Sequence, residues 1–100
     1  MGKFVAVAKV QDIPDDESIC VRVEGEHIAI FNVHGKYYAI SDMCAHAGGP
    51  ISQGWVSDMR VTCPWHGWQF ELDPEHDPED GMRRYPVKVE GDDILIEVDG

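Results

Sequence analysis

Cys44-Ala45-His46 and Cys63-Pro64-Trp65-His66 each pair one thiol with one imidazole, and sixteen residues separate the two strings. Both side chains are good donors to iron and zinc. Cys44, His46, Cys63 and His66 are therefore a candidate metal-ligand set carried by two loops. Gly48, Gly49 and Gly67 crowd these strings. Glycine allows positive φ and close approach, so the loops read as backbone wrapped around a bulky group. Zinc is the first competitor, since two cysteines and two histidines form a common structural zinc set. Such sites usually bring two cysteines close together in sequence, whereas each string here mixes one cysteine with one histidine, which weighs against zinc.

This arrangement resembles the Rieske family of iron–sulfur proteins, and the resemblance covers nearly the whole chain. It implies a single [2Fe–2S] cluster with Cys44 and Cys63 on one iron and His46 and His66 on the other. Neutral imidazoles in place of two thiolates make such a cluster less negative and raise its potential to roughly −150 to +300 mV, against roughly −400 mV for plant-type ferredoxins. Respiratory-chain members carry an extra cysteine in each loop, joined as a disulfide, where this chain has Gly49 and Trp65. They also place a serine and a tyrosine where this chain has Trp68 and Phe70. Fewer hydroxyl donors to the sulfurs stabilise the reduced state less. The resemblance therefore implies a potential toward the low end of the range, near about −150 mV. Reduction adds negative charge beside the imidazoles, so the midpoint is expected to fall with pH once the oxidised-state histidines titrate.

The chain of 100 residues is expected to be one domain, 1–100, too short to add a catalytic domain. The large oxygenase subunits, which resemble it only over their Rieske domain, are excluded on that ground. The resemblance then implies a one-electron carrier rather than a stand-alone catalyst, working between a flavoprotein reductase and a terminal oxygenase, as the ferredoxin component of a multicomponent aromatic-ring dioxygenase does. The alternative is the small subunit of an NAD(P)H-dependent nitrite reductase, with the nitrite reductase large subunit as partner. A third class, a Rieske-like module that only assists assembly, would not need all four ligands. His46 and His66 are the expected electron exit.

Nineteen Asp and Glu against eight Lys and Arg give a formal net charge of −11. That balance disfavours nucleic acid and anionic membranes and favours a partner with a basic face, although acidity also simply keeps a small domain in solution. The N-terminal apolar run is broken by Lys9 and does not resemble a signal peptide. No stretch reaches the ~20 apolar residues of a membrane span. With two of three cysteines given to iron, only Cys20 remains and no internal disulfide can form. A cytoplasmic location is expected.

The elements that must position the ligands read as short strands. Ile19, Val21 and Val23 alternate with polar residues, Gly25-Glu26 turns the chain into His27–Phe31, and His34-Gly35 turns it into Lys36–Ile40. Trp55-Val56 and Met59–Thr62 flank Ser57-Asp58 as a hairpin delivering Cys63, and Gln69–Leu72 leaves the second loop. Pro86–Glu90 and Asp93–Val98 form a hairpin about Gly91-Asp92. The expected fold is all-β, a small antiparallel sandwich or barrel with cluster loops at about 42–54 and 63–68 at one tip. The acidic, proline-rich stretch from Asp73 to Arg84 reads as a loop that hydrates a connection or docks a partner. His27, His34 and His76 lack a cysteine at loop spacing and are expected to bind no metal. Trp55 is expected in the core and Trp65 at a partner surface. Pro50 and Pro64 stiffen the ligand loops, and Cys20 is expected to be a thiol on the polar face of its strand.

Overall fold

Five consecutive buried residues, Ile28-Ala29-Ile30-Phe31-Asn32, require a strand covered on both faces. That strand organises the molecule. The structure, a computed structural model, describes residues 2–23, 25–42, 51–57, 59–64, 67, 69–72 and 84–99. Its strands are β1 (Gly2–Lys9), β2 (Ser18–Val23), β3 (Glu26–Val33), β4 (Lys36–Ser41), β5 (Trp55–Ser57), β6 (Arg60–Thr62), β7 (Gln69–Glu71), β8 (Arg84–Tyr85), β9 (Val87–Glu90) and β10 (Asp93–Asp99). They form three sheets, in the orders β1-β10-β9, β2-β3-β4-β8 and β5-β6-β7. Every pairing among the described residues is antiparallel. The all-β antiparallel fold expected from the sequence is the fold observed.

Period-2 alternation along β3 and β4 splits the core in two. Ile28, Ile30 and Ala39 pack with Ile94, Ile96 and Val98 of the β1-β10-β9 sheet. On the opposite face Ala29, Phe31 and Ile40 pack with Val61, Cys63, Phe70 and Leu72 on the side of the β5-β6-β7 sheet. The four-stranded sheet is thus a middle layer between two apolar clusters, and the second of these includes a candidate ligand.

The β3–β4 turn shows how local chemistry fixes the frame. His34 and Gly35 have φ of 53° and 91°, the two positive values of the turn geometry that matches strand twist. Buried Asn32 anchors this corner. Its Nδ2 donates to the Ile13 carbonyl at 2.8 Å and its Oδ1 accepts from the Gly35 N–H at 2.9 Å. A buried amide satisfied on both sides stabilises, whereas an unsatisfied one would cost about 1–3 kcal/mol.

Four features depart from the sequence expectations. β1 and β8 were not anticipated as strands; β1 pairs with β10 across most of the chain length, with a register shift between Ala6 and Ala8. Two short 3₁₀ turns, Val10–Asp12 and Ile51–Gln53, interrupt the loops. The β5–β6 turn lies one residue later than expected, because Ser57 pairs with Arg60 and Met59 takes a φ of 64°. The acidic 73–83 stretch lies outside the described residues.

Candidate metal centre

Asp42 closes the base of the first candidate ligand loop. Its N–H donates to the His27 carbonyl at 2.9 Å, its carbonyl accepts from the Ile51 N–H at 2.9 Å, and its Oδ1 accepts from the Ser52 N–H at 2.5 Å. The chain therefore returns at Ile51 to the point it left at Asp42, and the residues enclosed in sequence include Cys44 and His46. Ser18 Oγ on β2 donates to the Ser52 carbonyl at 2.7 Å, which ties the returning turn to the middle sheet. Gly54 N–H donates to the Ile51 carbonyl at 2.9 Å before β5 begins.

The second loop is closed by its own hairpin. Thr62 pairs with Gln69, and Gln69 Nε2 donates to Thr62 Oγ1 at 3.4 Å. The next residue, Cys63, is 0% exposed. A Cβ built on Gly54 would lie 2.0 Å from the Thr62 carbonyl oxygen. Only glycine lets the exit of the first loop sit against the entry of the second. Ile51 and Cys63 belong to one apolar cluster with Val61, Phe70 and Leu72. The structure thus joins the bases of two loops that are separate in sequence. Of the four sequence candidates it places Cys63 at that junction; Cys44, His46 and His66 lie outside the described residues.

The donor at this junction suits iron. A cysteine in apolar surroundings is disfavoured as a bare thiolate, because desolvation penalises the charge, whereas a soft metal ion compensates it. Phe70, buried in the same cluster, supplies no hydroxyl. A backbone held tightly at both loop bases is the scaffold a preorganised ligand set needs.

Sequence reasoning missed the roles of Asp42 and Gly54, and it misplaced Trp55. That indole is 58% exposed rather than in the core. Trp55 and Val56 alternate along β5, and the half-buried Val56 takes the inward position. His27 and His34 are both exposed; His34 Nδ1 lies 3.9 Å from Asp15 and 3.8 Å from Asp16 carboxylate oxygens, in an exposed group. His76, Trp65 and Trp68 lie outside the described residues.

Cys20 is exposed on β2, opposite Ala29. Desolvation, then a hydrogen bond to the Asp42 carboxylate and the charge of that group, pushes its thiol up to about 11. All three causes favour the protonated form, so thiolate is lost at neutral pH. Alkylation of Cys20 by iodoacetamide, followed on its peptide by mass spectrometry, is expected to rise with a midpoint near 11, and at pH 8 to run about 100-fold slower than at an ordinary thiol. A midpoint near 9 would show that neither burial nor the Asp42 contact raises this thiol in solution.

Comparison with known proteins agrees with this geometry. The pattern of the Rieske [2Fe-2S] domain matches residues 3–96. The 3-phenylpropionate/cinnamic acid dioxygenase ferredoxin subunit of Escherichia coli (strain K12) is 38% identical over 97 residues, covering 89% of this chain and 88% of that one. The ferredoxin of carbazole 1,9a-dioxygenase from Nocardioides aromaticivorans IC177 superposes with a TM-score of 0.83 at 24% identity, covering 94% and 96% of the two chains. A Mycobacterium tuberculosis protein provisionally assigned as an NADH-dependent nitrite reductase small subunit superposes at 0.88 with 20% identity, covering 100% and 98%. Both structural likenesses are below 25% identity and bear on the fold alone. The family match over residues 3–96, with a buried cysteine where two loop bases meet, establishes that the chain belongs to the Rieske [2Fe-2S] domain family and takes one [2Fe–2S] cluster as its cofactor.

Proposed function

We propose that Cys44, His46, Cys63 and His66 are the cluster ligands and that the protein carries single electrons from a flavoprotein reductase to a terminal oxygenase. The observation that supports this most is the junction at Gly54 and Thr62, where the loop containing Cys44 and His46 and the loop containing Cys63 and His66 share one rigid base. The named relative at 38% identity is a ferredoxin subunit of a dioxygenase, which favours an oxygenase as acceptor over nitrite reductase.

The cofactor supplies reversible one-electron chemistry when bound. The chain's own residues do the rest. Cys63 and Cys44 would hold the cluster through thiolates, Cys63 from buried, apolar surroundings. His46 and His66 would hold it through neutral imidazoles and offer a route for electrons to a docked partner. Asp42 and Gly54 fix the loop bases so that little reorganises on electron transfer. Phe70 leaves its position without a hydroxyl donor to sulfur. The whole chain, 1–100, acts as one domain in the cytoplasm.

Low-temperature electron paramagnetic resonance of the dithionite-reduced protein, with a redox titration, tests this reading. The expected result is a rhombic signal with the low average g of mixed cysteine and histidine ligation, and a midpoint toward about −150 mV. A colourless, zinc-bearing protein would overturn the carrier reading. A midpoint well above zero would overturn the inference drawn from Trp68 and Phe70. The nitrite reductase alternative predicts instead a stable complex with a nitrite reductase large subunit and no electron delivery to an oxygenase.

A further inference from the structure

The molecule has a second surface whose chemistry points to a partner. A groove of about 620 Å³ runs between the β5–β6 hairpin and the corner that joins β2 to the end of β3. Its lining is mixed: Phe31, Val33, Val56, Met59 and the exposed ring of Trp55 give it an apolar stripe, and Ser18, Asn32, His34 and Ser57 line it as well. Its rim is acidic. Asp16 and Glu17 line it, and Asp15 stands beside them with a side chain 62% exposed. Among the described residues no lysine or arginine lines the groove, and its one basic side chain is His34, whose Nδ1 lies 3.9 Å from Asp15 and 3.8 Å from Asp16 and which an incoming lysine or arginine would displace or neighbour. Exposed tryptophan beside an apolar stripe is unusual on a surface that only meets water, and Trp is the residue most often dominant at interface centres.

We propose that this groove is a docking surface for a basic segment of a partner protein, with lysine or arginine side chains on Asp15, Asp16 and Glu17 and an apolar side chain seated against Trp55. The commitment to a basic protein partner follows from charge. A second copy of this chain, at −11, would bring acid against acid, and nucleic acid or an anionic membrane would do the same. The groove also connects to the candidate centre. Trp55 pairs directly with Thr62, the residue before Cys63, so a partner gripping Trp55 is held on the strand pair that carries Cys63. The identity of the occupant as an electron-transfer partner rests on the carrier reading; the groove's preference for a basic, apolar segment does not.

The test uses the full chain labelled with ¹⁵N and two amidated pentapeptides, one alternating lysine with leucine and one alternating lysine with serine. The expected result is saturable shifts of the Trp55 indole N–H and of the Asp16, Glu17, Val33 and Met59 amides with the leucine peptide, weakening as salt is raised. Binding of the serine peptide should be several-fold weaker. Trp55→Ala, which removes an exposed ring, and Asp15→Asn/Asp16→Asn/Glu17→Gln, in which asparagine suits the positive φ of Asp16, should each weaken the leucine peptide by about ten-fold or more. Shifts spread over all acidic surfaces, equal binding of the two peptides, or unchanged binding by Trp55→Ala would overturn the proposal. Reduction of the wild-type protein by a flavoprotein reductase reports separately on the carrier reading. A protein that carries electrons but fails the peptide test refutes the groove alone, and one that binds the peptide but holds no cluster refutes the carrier alone.

Discussion

Cys63→Ser is expected to abolish the iron–sulfur centre: purified variant should be colourless, carry well under one iron per chain where the wild type carries two, and give no signal after dithionite reduction. A serine oxygen is a hard donor that stays protonated near neutral pH, so it replaces a soft thiolate poorly. The position magnifies the effect. Cys63 is 0% exposed and packs with Ile51, Val61, Phe70 and Leu72, so the variant also buries a hydroxyl among apolar side chains at a cost of about 1–3 kcal/mol. Cys63→Ala separates the two effects, since it removes the ligand without burying a hydroxyl. It should lose iron as completely while unfolding at higher denaturant than Cys63→Ser. Cys20→Ser is the control, because that thiol is exposed on β2, and it should keep its full iron. Iron retained by Cys63→Ser, or lost from Cys20→Ser, would refute the ligand assignment. The same loss is expected on replacing Cys44, His46 or His66.

What could be read from the sequence was whatever leaves a local mark. Ligand types leave one, because few other reasons place cysteine and histidine two or three residues apart in glycine-rich strings. Turn chemistry leaves one as well: His34-Gly35 and Gly91-Asp92 fixed the hairpins, and both Gly35 and Gly91 have positive φ. The apolar run of β3 marked a strand, although its burial on both faces came only from the structure. β1 was missed because its partner β10 lies at the other end of the chain, and pairing at that separation has no sequence period. Trp55 was misplaced because β5 is only three residues long, too short for alternation to tell which face is inward; the structure turns Val56 inward and leaves Trp55 outside. Asp42 and Gly54 were not recognised as loop-closing residues. Their work is done by two hydrogen bonds, across nine and ten residues, and one backbone contact across eight, and none of these follows from periodicity.

Gly54→Ala should be the most damaging change outside the candidate ligands. The added methyl would lie 2.0 Å from the Thr62 carbonyl oxygen, 3.0 Å from the Thr62 carbonyl carbon and 3.2 Å from the Ile51 carbonyl oxygen. All three are backbone atoms, so no side chain can rotate away to make room. Either the turn at Ile51–Gln53 must lift from Ser18 and Asp42, or β6 must shift and carry Cys63 with it. Overpacking of this kind costs about 3 kcal/mol, which lowers the melting midpoint of a domain this size by roughly 10–20 °C. Because the strain falls on the junction of the two loops, iron content should fall with it even in the fraction that folds. Gly25→Ala provides the comparison. Gly25 has a φ of 83° but open space around its missing Cβ, so alanine there carries only a left-handed backbone penalty of about 1–2 kcal/mol and should leave iron content unchanged. Equal iron loss in the two variants would mean that global stability alone holds the centre. Full iron in Gly54→Ala, with an unshifted melting midpoint, would mean that the close approach of the two loop bases is not what holds the ligands in place.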